Sequence, residues 1–140
     1  MAMSSHPAVA RLADHQLQIL NILNGAEPLL IDPAKRDVAA LARARWALMR
    51  ALTAYQLFKR HEVFDPLLAK ARPADAYHLV RMKRACTDLG DAFRHYVQRW
   101  SSTDVEAHWA EYQPAALAMI TRIREHIARE REQVGKALRT

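Results

Sequence analysis

LVRMKRACTDLGDAFRHYVQRW, residues 79–100, is the stretch whose reading decides the fold. Its apolar residues Leu79, Met82, Cys86, Leu89, Phe93, Tyr96 and Trp100 recur in alternating steps of three and four. That spacing places them on one face of an α-helix, a stripe that must pack against other helices. Ala71-Arg72-Pro73 precedes the stripe and opens the helix near Ala74; Ser101-Ser102-Thr103 closes it. Downstream, Thr103 with Glu106 three residues on forms a capping box for a further helix. That helix carries Trp109, Tyr112, Ala116, Met119, Ile120, Ile123, Ile127 and Val134, with Pro114 expected to kink or break it.

Two more helices lie upstream. The first runs from about Pro7 to Asn24 on Val9, Leu12, Leu17, Ile19, Leu20, Ile22 and Leu23, with Asn24-Gly25 as its stop. A loop through Glu27, Pro28 and Pro33 follows. Asp37 is the N-cap of the second helix, whose stripe includes Leu41, Leu48, Leu52, Tyr55 and Val63, and Pro66 limits its extent. Four such helices with mostly short connections predict an all-α chain, an antiparallel up-down-up-down four-helix bundle, as one domain over 1–140.

Composition narrows the function classes. With 140 residues, 51% of them hydrophobic, the chain carries too much apolar surface for disorder and supports a single core. Cys86 is the single cysteine, which excludes a disulfide framework and a cysteine-based zinc cluster and suits a reducing compartment. The N-terminal stretch lacks the pattern of a signal peptide, and no apolar run approaches the ~18 residues of a membrane span, so the expected location is the cytoplasm. The net charge of +6 comes from sixteen Arg and five Lys, interleaved with Asp and Glu in blocks of two at most. Without a basic block or an aromatic–basic pattern, nucleic acid is disfavoured as a partner. Glycines stand only at 25, 90 and 135, which excludes a glycine-rich phosphate loop, and no nucleophile–base system is visible. Enzymatic turnover is therefore not the expectation.

Seven histidines are many for such a chain. In the expected bundle the start of the first helix, the end of the second, the start of the third and the end of the fourth share one end. His15, Glu62, His78, His126 and Glu130 all fall there. His15 lies between Leu12 and Ile19; Glu62 continues Leu48, Leu52, Tyr55 and Phe58; Glu130 precedes Val134 by four, and His126 precedes Glu130 by four. Imidazoles and carboxylates meeting inside a helical bundle are a ligand set for iron or manganese. The competing reading pairs Glu62 with Arg81 or another arginine, and leaves His126 and Glu130 as a helical pair among basic residues. Cys86, Tyr55 and Phe58 read as core packing, His95 and His108 as structural residues of the other end, and His6 as part of a frayed terminus.

This pattern resembles the hemerythrin-like, HHE cation-binding domains. The residues that carry it are His15, Glu62-Val-Phe-Asp-Pro66, His78 opening the third helix, and His126-Ile-Ala-Arg-Glu130. The likeness spans about residues 10–134. It implies a four-helix bundle with a non-haem di-iron centre, reduced to a mononuclear one where ligands are lost, that binds or senses dioxygen, nitric oxide or a related diatomic ligand. His15, Glu62, His78, His126 and Glu130 would be the metal ligands. The chain departs from the family at Phe58, where a histidine stands four before the acidic residue, and at Met82. That departure opens the alternative: a metal-free bundle acting as a regulatory or protein-interaction module, with a protein partner or a homodimer.

Overall fold

The computed structural model describes residues 7–139 and is all-helical apart from short connections, with no strand among the described residues. Four long helices make up the molecule: α1 (Pro7–Ile31), α2 (Val38–Lys59), α4 (Pro73–Ser101) and α5 (Trp109–Arg139), with a short α3 (Asp65–Lys70) between the second and third of these. Residues Leu12, Ile19, Leu23, Leu48, Leu52, Phe93, Ile123 and Ile127 are buried in one continuous core to which all four contribute. No helix among the described residues is long and apolar enough to cross a membrane.

Local chemistry sets the helix ends. Asp37 caps α2, its carboxylate accepting from the Ala40 amide at 3.0 Å, as expected of an Asp ahead of an apolar stripe. Asp32 does the same for a single 3₁₀ turn, Pro33–Lys35, accepting from the Ala34 amide. Two expected boundaries differ. The α4–α5 turn is held by Asp104, which accepts from the Ala107 amide, while Thr103 instead donates back to the Arg99 carbonyl, so no Thr-x-x-Glu box forms. Pro114 sits inside α5 without breaking it.

The third difference is α1, which does not stop at Asn24-Gly25 but runs on to Ile31 through Pro28. Tertiary contacts override the stop signal. Leu30 is buried, and Arg124 of α5 donates to both Glu27 (2.8 Å) and Asn24 (2.9 Å). The glycine keeps right-handed helical geometry, since no residue among those described has a positive φ.

A π-helical turn, Arg60–Phe64, follows α2 and places one more residue in the turn than an α-helix would. The Asp65 amide reaches back five residues to the Arg60 carbonyl. The extra residue shifts the helical phase, so that Phe64 joins the expected Val63 in the core, at 2% and 0% exposure. Glu62, expected to face inward, turns to solvent.

Candidate functional site: a buried polar cluster

A polar cluster sits inside the apolar core, built by α1, α2, α4 and α5. Gln16 of α1, Lys59 of α2, His126 and Glu130 of α5 are all buried, as are Tyr55 and Cys86. Each lies in phase with its helix's apolar stripe: Gln16 between Leu12 and Ile19, Lys59 four after Tyr55, Cys86 three before Leu89, Glu130 three after Ile127. The stripe thus carries these polar groups inward whether or not they suit an apolar interior, and they must satisfy one another.

They do so around Glu130. The Lys59 ammonium donates to both carboxylate oxygens, at 2.7 and 2.8 Å. The Tyr55 hydroxyl donates to Oε1 at 2.7 Å and receives a hydrogen bond from Gln16 Nε2 at 3.0 Å. The Cys86 thiol donates to Oε2 at 2.8 Å, and Lys59 Nζ lies 2.9 Å from its sulfur. His126 Nε2 stands 3.1 Å from Glu130 Oε1 and 3.6 Å from Cys86 Sγ. The ammonium also lies 3.8 Å from the centre of the Tyr55 ring, a cation–π contact.

The electrostatics follow from these contacts. Burial alone would push the Glu130 carboxyl up. The His126 hydrogen bond, the Lys59 ammonium, the imidazole charge and the thiol outweigh it and hold the group at about 2. Glu130 is therefore an ionised carboxylate, its charge met by the ammonium. Burial pushes the Cys86 thiol up to about 12; the Lys59 charge opposes that rise and Glu130 adds to it. The Tyr55 phenol is raised far above its ordinary value, by burial first and then by Glu130.

Of the five residues singled out from sequence, His126 and Glu130 come together here, and the other three lie elsewhere. Glu62 is exposed and pairs with Arg11 at 3.1 Å, because the π turn has rotated it outward. His78 is exposed on the first turns of α4, edge-on to Tyr77. His15 is half-buried and stacks on Phe58, ring centres 4.9 Å apart; burial, then Arg11, lowers its pKa. His6 lies outside the described residues. Among the described residues, the groups whose ligating atoms converge within 4.8 Å are Cys86, His126 and Glu130. Sequence reading treated Cys86 and Tyr55 as packing and passed over Gln16 and Lys59. The signal was present, since Gln16 and Lys59 occupy core positions of their stripes.

Lys59 sits where a cation bound by Glu130 and Cys86 would sit. As arranged, the thiol and carboxylate direct their lone pairs at an ammonium, and a metal ion needs that ammonium displaced. The cluster fits a two-metal centre poorly, because His15, Glu62 and His78 contribute nothing to it.

No family model, curated protein or solved structure matches this chain. The site is therefore read from its own geometry.

Proposed function

We propose that this chain is an antiparallel up-down-up-down bundle of hemerythrin-like layout that works without a metal, as a regulatory or protein-interaction module. The observation that carries the reading is the Lys59–Glu130 pair: an ammonium of the chain itself supplies the positive charge at the bundle's centre. The antiparallel layout is supported by pairings whose numbers run in opposite directions. Arg11 meets Glu62 and Gln16 meets Tyr55 across α1 and the α2 segment; Lys59 meets Cys86 while Arg45 meets the Trp100 carbonyl across α2 and α4. Glu62 bound to Arg11 is what a retired ligand position would look like. Tyr77 and Val80, one turn apart on α4 and 61% and 49% exposed, supply apolar surface beside Arg81 and Arg84 for a protein partner.

Purification with ferrous iron or zinc supplied, followed by elemental analysis, tests this reading. It expects no stoichiometric metal and a melting temperature unmoved by added ions. A near-stoichiometric content together with a rise of several degrees would overturn it, because a ligand that binds only the folded state stabilises it.

The convergence of Cys86, His126 and Glu130 favours a second reading, a single metal ion, iron by the family resemblance, bound by those three and serving oxygen, nitric oxide or redox response. It requires Lys59 to swing away. Under it, Lys59→Ala increases metal uptake and His126→Ala abolishes it; under the first reading neither variant binds metal.

A further inference from the structure

The buried cluster balances its own charges, whereas the seam between α4 and α5 does not. These two helices pack less closely against each other than α1 does against α2 or α5, or α2 against α4. Two open clefts, of about 620 and 370 Å³, lie along the seam. The first joins residues 78–85 of α4 to residues 129–136 of α5, and the second joins 92–100 to 115–122. Their lining includes Met82, Ala85, Ala92, Ala115, Ala118 and Met119, none of them buried. Arg81, Arg122, Arg129 and Lys136 line the same clefts, are exposed, and make no ion pair among the described residues. No acidic residue lines either cleft; Arg99, at one end, is already paired with Glu111.

Unpaired surface cations alone mark no site, since Arg43 and Arg50 of α2 are also exposed and unpaired among the described residues. The seam differs in its apolar floor and in its register. Arg122, Arg129 and Lys136 follow one another at intervals of seven, as do Ala85 and Ala92. Seven residues are close to two helical turns, so the three cations form one row beside a floor of small side chains. Alanines let another helix approach closely, methionines adapt to its shape, and cations at heptad spacing meet carboxylates repeating at the same interval on a neighbouring helix.

We infer that the α4–α5 seam is a docking groove for an acidic amphipathic helix of a partner protein. Its apolar stripe lies on the alanine floor, and its Asp and Glu side chains face Arg81, Arg122, Arg129 and Lys136. From residue 78 to residue 99 α4 runs for about 30 Å, the length of a partner helix of about 20 residues. Charge and shape together select this occupant. A second copy of the chain would bring the same cations and a net charge of +6 to the contact. A phosphate backbone or an anionic membrane would meet the cations and leave the floor of the groove unused. The inference deepens the protein-interaction reading and rests on it, and Arg81 and Ala85 join the groove to the surface around Tyr77 and Val80.

Fluorescence anisotropy tests it on the full chain, with metal content measured first. The probe is a labelled synthetic peptide of three heptads with leucine at a and d and glutamate at e and g, and a lysine counterpart serves as control. In dilute buffer the glutamate peptide should bind with a Kd of about 10 μM that weakens with salt, and the lysine peptide should not bind. Arg122→Glu/Arg129→Glu should weaken binding about tenfold or more, while Arg43→Glu/Arg50→Glu, the same charge change at the same spacing, should leave it within about twofold. Ala85→Trp keeps every charge but fills the floor, and should also weaken binding about tenfold. Circular dichroism melting curves check that each variant is folded. Equal losses in the two charge-reversed pairs, or wild-type binding by Ala85→Trp, would show attraction without a groove and overturn the proposal. Tighter binding of a single-stranded oligonucleotide or of phosphatidylglycerol vesicles through Arg122 and Arg129, or a dimer in sedimentation that Ala85→Trp dissociates, overturns it in favour of that occupant. No peptide binding by metal-free protein overturns the groove and leaves the reading of the buried cluster standing. Binding by protein that carries stoichiometric metal upholds the groove and overturns the metal-free reading alone.

Discussion

Removing the Lys59 ammonium leaves an ionised Glu130 in the core with its main counter-charge gone. Lys59→Met is expected to lower unfolding stability by roughly 3–5 kcal/mol in urea, the cost of stranding one member of a buried pair. The double variant Lys59→Met/Glu130→Leu should recover most of that loss, because two apolar residues leave no charge to satisfy. Equal losses in the single and double variants would mean that the two residues do not act as a pair. Acid tests the same carboxylate. Its folded pKa of about 2 lies below the ordinary 4.5, so its stabilisation is complete above pH 4.5 and disappears as pH falls from there towards 2. Unfolding midpoints followed from pH 6 to 2 should fall less in Glu130→Gln than in the wild type, and parallel curves would contradict the assignment.

Among the elements, α1 gives a direct test of local preference against tertiary packing. Gly25 is exposed within the helix, and a Cβ built there meets nothing within 4 Å. Gly25→Ala should therefore stabilise the protein by about 0.5–1 kcal/mol, the helical preference of alanine over glycine. Destabilisation would indicate that the helix does end at Asn24 in solution. Gly90 is different, since its added Cβ would come within 2.5 Å of the Gln56 amide, which donates to the Cys86 carbonyl. Element starts were legible where chemistry is local, as at Asp37. The π turn was not, because the run Arg60–Phe64 carries no composition that separates it from an ordinary helix turn. Its one extra residue moved Glu62 out and brought Phe64 in beside the expected Val63, and that rotation removes Glu62 from the expected ligand set.

For the molecule as a whole, electrostatics divides into an exposed shell and a dry centre. The Arg11–Glu62 and Arg99–Glu111 pairs are about half exposed or more, and Arg36–Glu106 is exposed on its acidic side. Such pairs contribute little individually, and salt screens them. Net charge of +6 adds a mild self-repulsion that salt also relieves. Melting temperatures in dilute buffer and in molar sodium chloride should therefore agree within a few degrees, with any change upward. A steep fall in salt would show that surface pairs, rather than the core and its Lys59–Glu130 pair, hold the helices together.

The sequence by itself determined that the chain is helical, which apolar faces are buried, and that His126 and Glu130 lie one above the other on an inward face. These are consequences of a 3.6-residue period, which acts within a few turns of the chain. Only the tertiary structure decided which polar groups meet. Lys59 and Glu130 are 71 residues apart, and their contact depends on the rotation of two helices about their axes. One residue of phase is about 100° of that rotation, enough to turn the acidic candidate Glu62 out to solvent.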